Sequence, residues 1–167
     1  MPDSTVKFKN PLQIDLAGIA KGYVVDRASE ILESFGIKNY IVNAGGDLRV
    51  GEVAHKIQIR NPQKLDSTIY ETEISNSSLA TSSGYFSYQE VELNNVSSKI
   101  YPIFKSQGEA LKYEDESISV LAKDCIIADS LTKVVAILKE KSFNILSQFN
   151  AHALLAKNHN QIKFINK

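Results

Sequence analysis

Hydrophobic residues recur at helical spacing in the first quarter of the chain and predict an amphipathic helix over residues 18–35. Its apolar face is expected to consist of Ala20, Val24, Ala28, Ile31 and Phe35. The opposite face is expected to be formed largely by Asp26, Ser29, Glu30 and Glu33. Gly36 follows directly, at a position where glycine commonly ends a helix in a left-handed turn.

Two further helices are predicted near the C-terminus, over residues 126–139 and 143–149. Short β-rich runs fill most of the remaining chain, at residues 6–8, 12–16, 40–43, 48–53, 56–60, 69–74, 79–82, 85–93, 99–104 and 117–122. The runs at 48–53 and 56–60 are expected to be hairpin strands, residues 105–115 a loop, and residues 153–156 and 162–165 a closing hairpin. Because a strand-rich middle lies between helices, the pattern favours an α+β fold over regular βαβ alternation.

Composition narrows the class of protein without identifying it. The 167 residues are expected to form a single domain, 1–167, of ordinary globular composition, with 43% hydrophobic and 23% charged residues. Nineteen basic residues balance nineteen acidic ones, so a nucleic-acid partner is not expected. One cysteine, Cys125, excludes an internal disulfide, and its place before an apolar helix favours a small buried side chain over a reactive thiol.

The first candidate site lies where the segment IDLAGIAKGY, residues 14–23, leads into the first predicted helix. Gly18 permits close backbone approach at the helix start, where free N–H groups can receive an anion. Lys21 lies in the first turn, where a cation opposes the helix dipole unless an anion is nearby. The alternative is structural: Asp15 caps the helix and Lys21 is solvated.

Two weaker candidates lie further along the chain. NAGGD, residues 43–47, permits backbone contact with a ligand but also suits a plain hairpin turn. Asp129 could bind a hard cation such as Mg²⁺, or could form an ordinary surface pair with Lys133, four residues later on the same helix. Tyr85, Tyr88 and Tyr101 could stack on a ring or pack between strands.

Taken in order, these segments resemble the motifs of the ApbE-like family of FAD:protein FMN transferases. Residues 14–26, IDLAGIAKGYVVD, resemble the family signature IDLGGIAKGYAVD, and residues 43–47 match NAGGD. Residues 79–82, LATS, resemble the ATSG segment, and residues 128–132, ADSLT, are similar to the late ADALST helix. The likeness covers about residues 12–140, and four motifs in the right order are specific.

The resemblance implies an α+β fold with a mainly antiparallel sheet packed with helices, and a function in flavin transfer. Family members use Mg²⁺, cleave FAD and attach FMN to a threonine or serine of an acceptor flavoprotein. Asp15, Gly18, Lys21 and Ile103 are thereby expected to contact FAD. The Asp129 carboxylate and the Gly18 carbonyl oxygen are expected to bind Mg²⁺.

Several positions depart from the family pattern. The family segment HIIDPxTG corresponds to residues 101–108, where Tyr101 replaces histidine and Phe104 replaces aspartate, and only Ile103 and Gly108 are retained. The threonine metal ligand corresponds to Lys133, whose ammonium would compete with Mg²⁺. The N-terminal part of the family domain is expected to be absent, so a partner chain could supply the rest of the pocket.

These departures leave three hypotheses open: a working transferase, a non-catalytic relative that binds flavin or a protein, and a fragment of a longer transferase. No signal peptide is visible at the start of the sequence. The compartment therefore stays open. A periplasmic or membrane-anchored lipoprotein is expected if a signal was removed, and a cytoplasmic protein otherwise.

Overall fold

The computed structural model describes residues 5–11, 14–84, 88–93, 96–104, 108–113, 116–157 and 161–166. The elements within these ranges are α1 (Ala20–Ser34), β1 (Ile41–Ala44), β2 (Asp47–Val50), β3 (His55–Arg60), β4 (Thr68–Ile74), β5 (Ser77–Ser83), β6 (Gln89–Leu93), β7 (Val96–Ile100), β8 (Ser117–Ala122), α2 (Cys125–Leu138), α3 (Phe143–Gln148), β9 (His152–Lys157) and β10 (Gln161–Ile165). A 3₁₀ turn, Lys139–Ser142, joins α2 to α3. In this part of the chain no helix is long and apolar enough to cross a membrane.

The main sheet has six strands in the order β1-β2-β5-β8-β9-β10, and each neighbouring pair is antiparallel. Strands β3 and β4 form a separate antiparallel hairpin, and so do β6 and β7. This arrangement confirms the predicted α+β fold with a mainly antiparallel sheet and helices.

The sheet is buried on both faces. Side chains alternate along a strand, so neighbouring residues of β5 face opposite sides: Ala80 joins a cluster with α2, and Leu79 joins a cluster with the β3–β4 hairpin. On the helix side, Val120 of β8 and Leu131 of α2 belong to the same core as Ala80. The fold therefore has three layers, with α2 on one face of the sheet and the β3–β4 hairpin on the other.

Helix α1 confirms the predicted helix but not its predicted orientation. The residues expected to form its buried face are mainly exposed: Val24 is 59% exposed, Ile31 59% and Phe35 78%. The buried residues are Gly22, Val25, Asp26 and Ser29. The prediction was wrong because the inward face of α1 meets the backbone at the start of α2, where a small residue and a hydrogen-bond acceptor fit better than aliphatic side chains.

The predicted strands before α1 are also wrong in the described residues. Residues 6–8 and 14–16 form no strand, while Leu12 and Gln13 lie outside the described ranges. The backbone instead turns into α1, because the N–H groups of Ile19 and Ala20 donate to the carbonyl oxygen of Leu16 at 3.0 and 2.9 Å. This commits residues 16–20 to a turn rather than to a ladder.

The predicted hairpin between residues 48–53 and 56–60 is replaced by two other pairings. Strand β2 pairs with β1 and β5, and β3 pairs with β4. The chain leaves β2 at Gly51, whose N–H donates to the Tyr40 carbonyl at 3.1 Å, and a Cβ there would lie 2.3 Å from the Lys38 carbonyl oxygen. Residues 51–52 thus stay beside residues 38–40 instead of reversing onto β3.

The remaining boundaries differ by a few residues from those predicted. Residues 101–103 follow β7 without belonging to a strand, and Phe104 forms an isolated bridge with Ala110 within the predicted loop. Residues 85–87, parts of the 105–115 loop and the tip at 158–160 lie outside the described ranges. Strand β8 has the predicted bounds, and α2 is shifted by one residue.

Candidate functional site

The first contact between the predicted segments joins α1 to the β1–β2 turn. The Lys21 ammonium lies 2.6 Å from Asp47 Oδ2, and the Asp47 side chain is almost completely buried. The other oxygen, Asp47 Oδ1, accepts a hydrogen bond of 3.3 Å from the N–H of Thr81 on β5. One buried carboxylate therefore connects three of the four segments that resemble family motifs.

The fourth segment, on α2, closes the connection back to α1. Ser82 Oγ and Thr132 Oγ1 are 2.8 Å apart and hydrogen-bond to each other across β5 and α2. The Gly22 N–H then donates to Asp129 Oδ2 at 3.1 Å. The four segments thus form a closed ring of contacts, running from α1 through the β1–β2 turn and β5 to α2 and back. We call it the motif ring.

Asp15 lies outside this ring, in the turn before α1. Its Oδ1 accepts a 2.8 Å hydrogen bond from the N–H of Ala17, so it fixes a local turn rather than capping α1. The N-cap position is Ile19, which makes no side-chain cap bond. Asp15 is exposed and lines a cavity of about 440 Å³ with Tyr88 and Tyr101.

Fewer backbone N–H groups are free to bind an anion at the start of α1 than the sequence suggests. The N–H groups of Ile19 and Ala20 are used by the preceding turn, and that of Gly22 is used by Asp129. Positive charge at this place comes instead from Lys21, whose side chain remains 52% exposed while it pairs with Asp47. Lys21 is therefore anchored on one side and accessible on the other, rather than simply solvated.

Asp129, Lys133 and Gly18 meet at one point. The Asp129 side chain is 1% exposed, so it does not form an ordinary surface pair. Lys133 Nζ contacts Asp129 Oδ1 and donates to the Asp129 carbonyl oxygen at 3.0 Å. A Cβ at Gly18 would lie 3.7 Å from Lys133 Cε. The two residues expected to bind a metal are thus brought together, with a lysine side chain beside both.

Ile103, the remaining predicted cofactor contact, belongs to the hydrophobic core. It is 7% exposed, and its carbonyl oxygen accepts a 2.7 Å hydrogen bond from the N–H of Leu111. Its neighbour Tyr101 is buried, with its ring centroid 5.6 Å from that of Tyr113. Tyr101 therefore packs against another ring of the protein, while Tyr88 is exposed at the rim of the Asp15 cavity and Tyr85 lies outside the described residues.

The glycines of residues 43–47 make the hairpin turn between β1 and β2. Gly45 has φ +64° and Gly46 φ +102°, which glycine adopts without strain. The side chain of Asn43 fixes the turn by accepting a 2.9 Å hydrogen bond from the Gly46 N–H. Asn43, Gly45 and Gly46 also line a cavity of about 390 Å³ together with Thr81. The turn is thus a hairpin connection, one of the two alternatives that the sequence left open, and Gly45 within it is exposed.

Sequence reasoning missed an ionic cluster beside the ring. Asp26, expected on the outer face of α1, is buried and accepts hydrogen bonds of 2.8 Å from the N–H groups of both Cys125 and Ile126. Arg49 on β2 lies 3.0 Å from Asp26 and 3.3 Å from Asp124. The sequence signal that could have indicated a role for Asp26 is that it is the last residue of the first motif, residues 14–26.

Cys125 confirms the expectation of a buried side chain. Burial raises the pKa of its thiol to about 12, and the carboxylates of Asp26, Asp47 and Asp129 act in the same direction. The thiolate is therefore strongly disfavoured, and this site carries no nucleophilic cysteine.

Together these features define an α+β protein with a polar site between the start of α1, the β1–β2 turn, β5 and α2. The chain belongs to the ApbE family, whose model matches residues 2–155. It is 31% identical to the FAD:protein FMN transferase of Vibrio cholerae over 145 residues, covering 83% of this chain and 42% of that protein. It is 33% identical to the one from Chlamydia pneumoniae over 139 residues, covering 78% and 41%. The chain thus spans about two-fifths of these relatives' length.

Solved structures agree with this assignment. The ApbE protein of Thermotoga maritima superposes with a TM-score of 0.75 at 29% identity, covering 90% of this chain and 50% of that one. A mutant of the flavin transferase ApbE from Vibrio cholerae gives a TM-score of 0.62 at 26% identity, covering 90% and 47%. The fold is therefore that of part of an ApbE protein.

Proposed function

We propose that this chain forms part of an FAD:protein FMN transferase, which moves FMN from FAD to a threonine or serine hydroxyl of an acceptor flavoprotein. The observation that carries the proposal is the motif ring. Its four segments are far apart in sequence, yet each is joined to the next by a polar contact. The names of the relatives, which refer to FAD as donor and protein as acceptor, support the same activity.

The proposed reaction is a phosphoryl-type transfer. The acceptor hydroxyl oxygen attacks the FMN-side phosphorus of FAD, a new P–O bond forms to the protein, and the P–O bond to the AMP portion breaks. AMP leaves with the bridging oxygen, and the hydroxyl proton passes to solvent. In such chemistry the protein mainly positions the groups and stabilises negative charge.

Lys21 is the residue of this chain best placed to meet that charge. Its ammonium is oriented by buried Asp47 and its side chain remains half exposed, so it can donate to a pyrophosphate oxygen without first being freed from the core. Asp15 and Gly18 would line the approach to α1. Ile103 would contribute indirectly: it is buried in the core and would support Tyr101, which lines the cavity beside Asp15.

The proposed magnesium site fits the residues poorly. Both carboxylate oxygens of Asp129 already have partners: Oδ2 accepts from Gly22 and Oδ1 contacts the Lys133 ammonium. Among the described residues no group of three or more His, Cys, Asp or Glu side chains could hold a metal ion. A divalent cation beside Asp129 would face an ammonium at contact distance, so no step of the proposed reaction runs through Mg²⁺.

Further polypeptide, equivalent to the part of the relatives that this chain does not span and carried by the same protein or by a partner chain, completes the pocket in this proposal. The support is the exposed apolar face of α1, formed by Val24, Ile31 and Phe35. Large apolar residues that recur at helical spacing on one exposed face mark a surface that another element covers.

The proposal is tested by mixing the purified chain with FAD, following flavin fluorescence and measuring released FMN and AMP. Binding with AMP release supports the transferase. Binding without release would favour a flavin-holding relative, in line with the changes at Tyr101 and Phe104. Lys21→Gln should weaken binding, while Lys56→Gln, an equally simple loss of an exposed lysine on the β3–β4 hairpin, should not.

A further inference from the structure

Two lysines near the start of α1 each pair with a buried aspartate. Lys21 pairs with Asp47, and Lys133 pairs with Asp129; each carboxylate is almost completely buried. Each lysine is more accessible than its partner, with 52% of the Lys21 side chain and 27% of the Lys133 side chain exposed. Both ammonium groups are therefore held by a buried carboxylate, on side chains that remain partly exposed.

The position of Lys133 is defined by three contacts. Its Nζ reaches the Asp129 carboxylate and lies 3.0 Å from the Asp129 carbonyl oxygen, one turn earlier in α2. Its Cε lies within van der Waals reach of a Cβ placed at Gly18. Since Gly18 has no side chain, nothing from that residue screens the lysine. The Lys133 side chain thus lies beside both residues that would otherwise hold a divalent cation, with its ammonium on Asp129.

We infer that the Lys133 ammonium serves as a built-in cation for the pyrophosphate of FAD, in place of a divalent metal. The inference rests on the proposed function for the identity of the ligand. An ammonium offers three N–H donors and a fixed single charge, which suits a phosphate oxygen. It is covalently part of the chain, so FAD binding becomes independent of Mg²⁺.

The Asp129–Lys133 pair differs from a magnesium site in its net charge. A carboxylate with a divalent cation has a net charge of about +1, whereas the Asp129–Lys133 pair is neutral, like the Lys21–Asp47 pair. Removing the ammonium would leave Asp129 buried with one oxygen unpartnered and free to take a metal ion. A threonine at position 133 would add a hydroxyl ligand without adding charge.

The first test uses Mn²⁺ alone, followed by electron paramagnetic resonance and calorimetry. Wild-type protein should show no saturable binding at millimolar Mn²⁺, and Lys133→Thr should tighten binding by about tenfold or more. Adding Asp129→Asn should abolish the gain. The matched control is Lys157→Thr, which removes a lysine of β9 that pairs with Glu116. This variant should behave as wild type. Wild-type binding that Asp129→Asn removes would overturn the inference, and so would no gain in Lys133→Thr.

The second test separates this inference from the proposed function. FAD affinity is measured in EDTA and in Mg²⁺, for wild type and Lys133→Met. Affinity equal in both conditions, with a loss of about tenfold in Lys133→Met, supports the inference. FAD binding that requires Mg²⁺ overturns it and leaves the transferase proposal intact. No FAD binding under either condition counts against the proposed function, while the Mn²⁺ experiment still decides whether Lys133 keeps a divalent cation away from Asp129.

Discussion

The carboxylate of Asp26 accepts a 2.8 Å hydrogen bond from the backbone N–H of Cys125, so a residue of α1 caps the start of α2. The second oxygen accepts from the N–H of Ile126, also at 2.8 Å. The first N–H groups of a helix have no partner inside the helix, and a negative charge is favourable there. This contact explains why the inward face of α1 contains a charged residue and why the two helices adjoin.

The sequence pattern places Asp26 on the exposed face of α1, where a substitution would have little effect. Because Asp26 instead caps α2, replacing it should destabilise the fold. In Asp26→Asn the amide can accept only one of the two hydrogen bonds, and its NH₂ group faces another donor. We expect the free energy of unfolding to fall by about 1–3 kcal/mol. Urea denaturation followed by circular dichroism measures the change.

Glu30→Gln is the control, since Glu30 is exposed on the same helix and should change stability by less than about 0.5 kcal/mol. Equal effects of the two substitutions would mean that Asp26 does not cap α2.

The closeness of the two helices also depends on Gly22. A Cβ at this position would lie 2.5 Å from the Cys125 carbonyl oxygen and 2.8 Å from Ile126 Cα, and neither backbone atom can move without shifting α2. Gly22→Ala should lower the free energy of unfolding by about 1–3 kcal/mol or more, despite the higher helix propensity of alanine. Thermal melting compares it with Gly18→Ala, which meets nothing closer than 3.7 Å and should melt near wild type.

How much of this could be predicted from the sequence depended on the range of the contacts involved. Strand β8 was predicted with its observed bounds, because its β-branched residues Ile118 and Val120 alternate with serine, as in a strand. The orientation of α1 was not, because Val24 and Val25 are alike in sequence and differ only in what lies opposite them. The pairing of β3 with β4 was missed because it depends on where the chain turns at Gly51, a matter of backbone contact with Lys38.

In the candidate site, too, the sequence indicated the residues but not the contacts between them. The motifs around Lys21, Asp47 and Asp129 could be found in the sequence, but the contacts that join them could not. Lys21 and Asp47 are far apart along the chain, and only the fold shows that Lys21 is held by a carboxylate before any ligand arrives. The expectation that free N–H groups at the start of α1 would receive an anion took no account of Leu16 and Asp129 as internal acceptors.

The outward face of α1 predicts a contrast between adjacent valines. Val24 is largely exposed and Val25 is 1% exposed. Val25→Ala should lower the free energy of unfolding by about 2 kcal/mol because it leaves a cavity, whereas Val24→Ser should change it by less than about 0.5 kcal/mol. Urea denaturation measures both.

The same face should bind a hydrophobic dye. Fluorescence of an anilinonaphthalene sulfonate probe should fall in the combined variant Val24→Ser, Ile31→Ser and Phe35→Ser. Dye fluorescence unchanged in a folded variant would mean that these residues do not form an accessible apolar surface.

Cys125 should be unreactive in the folded protein. Its thiol is fully buried, and its pKa is raised to about 12, so very little thiolate forms at pH 8. We expect Ellman's reagent to react only as fast as the protein unfolds, and at once in denaturant. Reaction in native buffer at the rate of a free thiol would show that the start of α2 opens readily, and would contradict the capping contact with Asp26.

The Glu116 carboxylate holds the 3₁₀ turn and β9 to the start of β8. It contacts the Lys139 ammonium and lies 2.8 Å from that of Lys157. Burial alone would raise the pKa of Glu116, but hydrogen bonds from both lysines lower it below the ordinary value of 4.5. A lowered folded-state pKa means that the stabilisation is complete above pH 4.5 and is lost as the pH falls through the folded-state pKa.

Glu116→Gln should therefore cost about 1 kcal/mol at pH 7, and the difference from wild type should shrink as the pH falls below 4.5. At alkaline pH the same pair acts through Lys157, whose pKa is raised by its hydrogen bond to Glu116. That stabilisation is present below pH 10.5 and is lost above it as the ammonium deprotonates, so the gap should narrow there too. Denaturation across this range, with exposed Glu73→Gln on β4 as control, measures both limits. A difference that does not vary with pH would mean that Glu116 acts through packing and not through its charge.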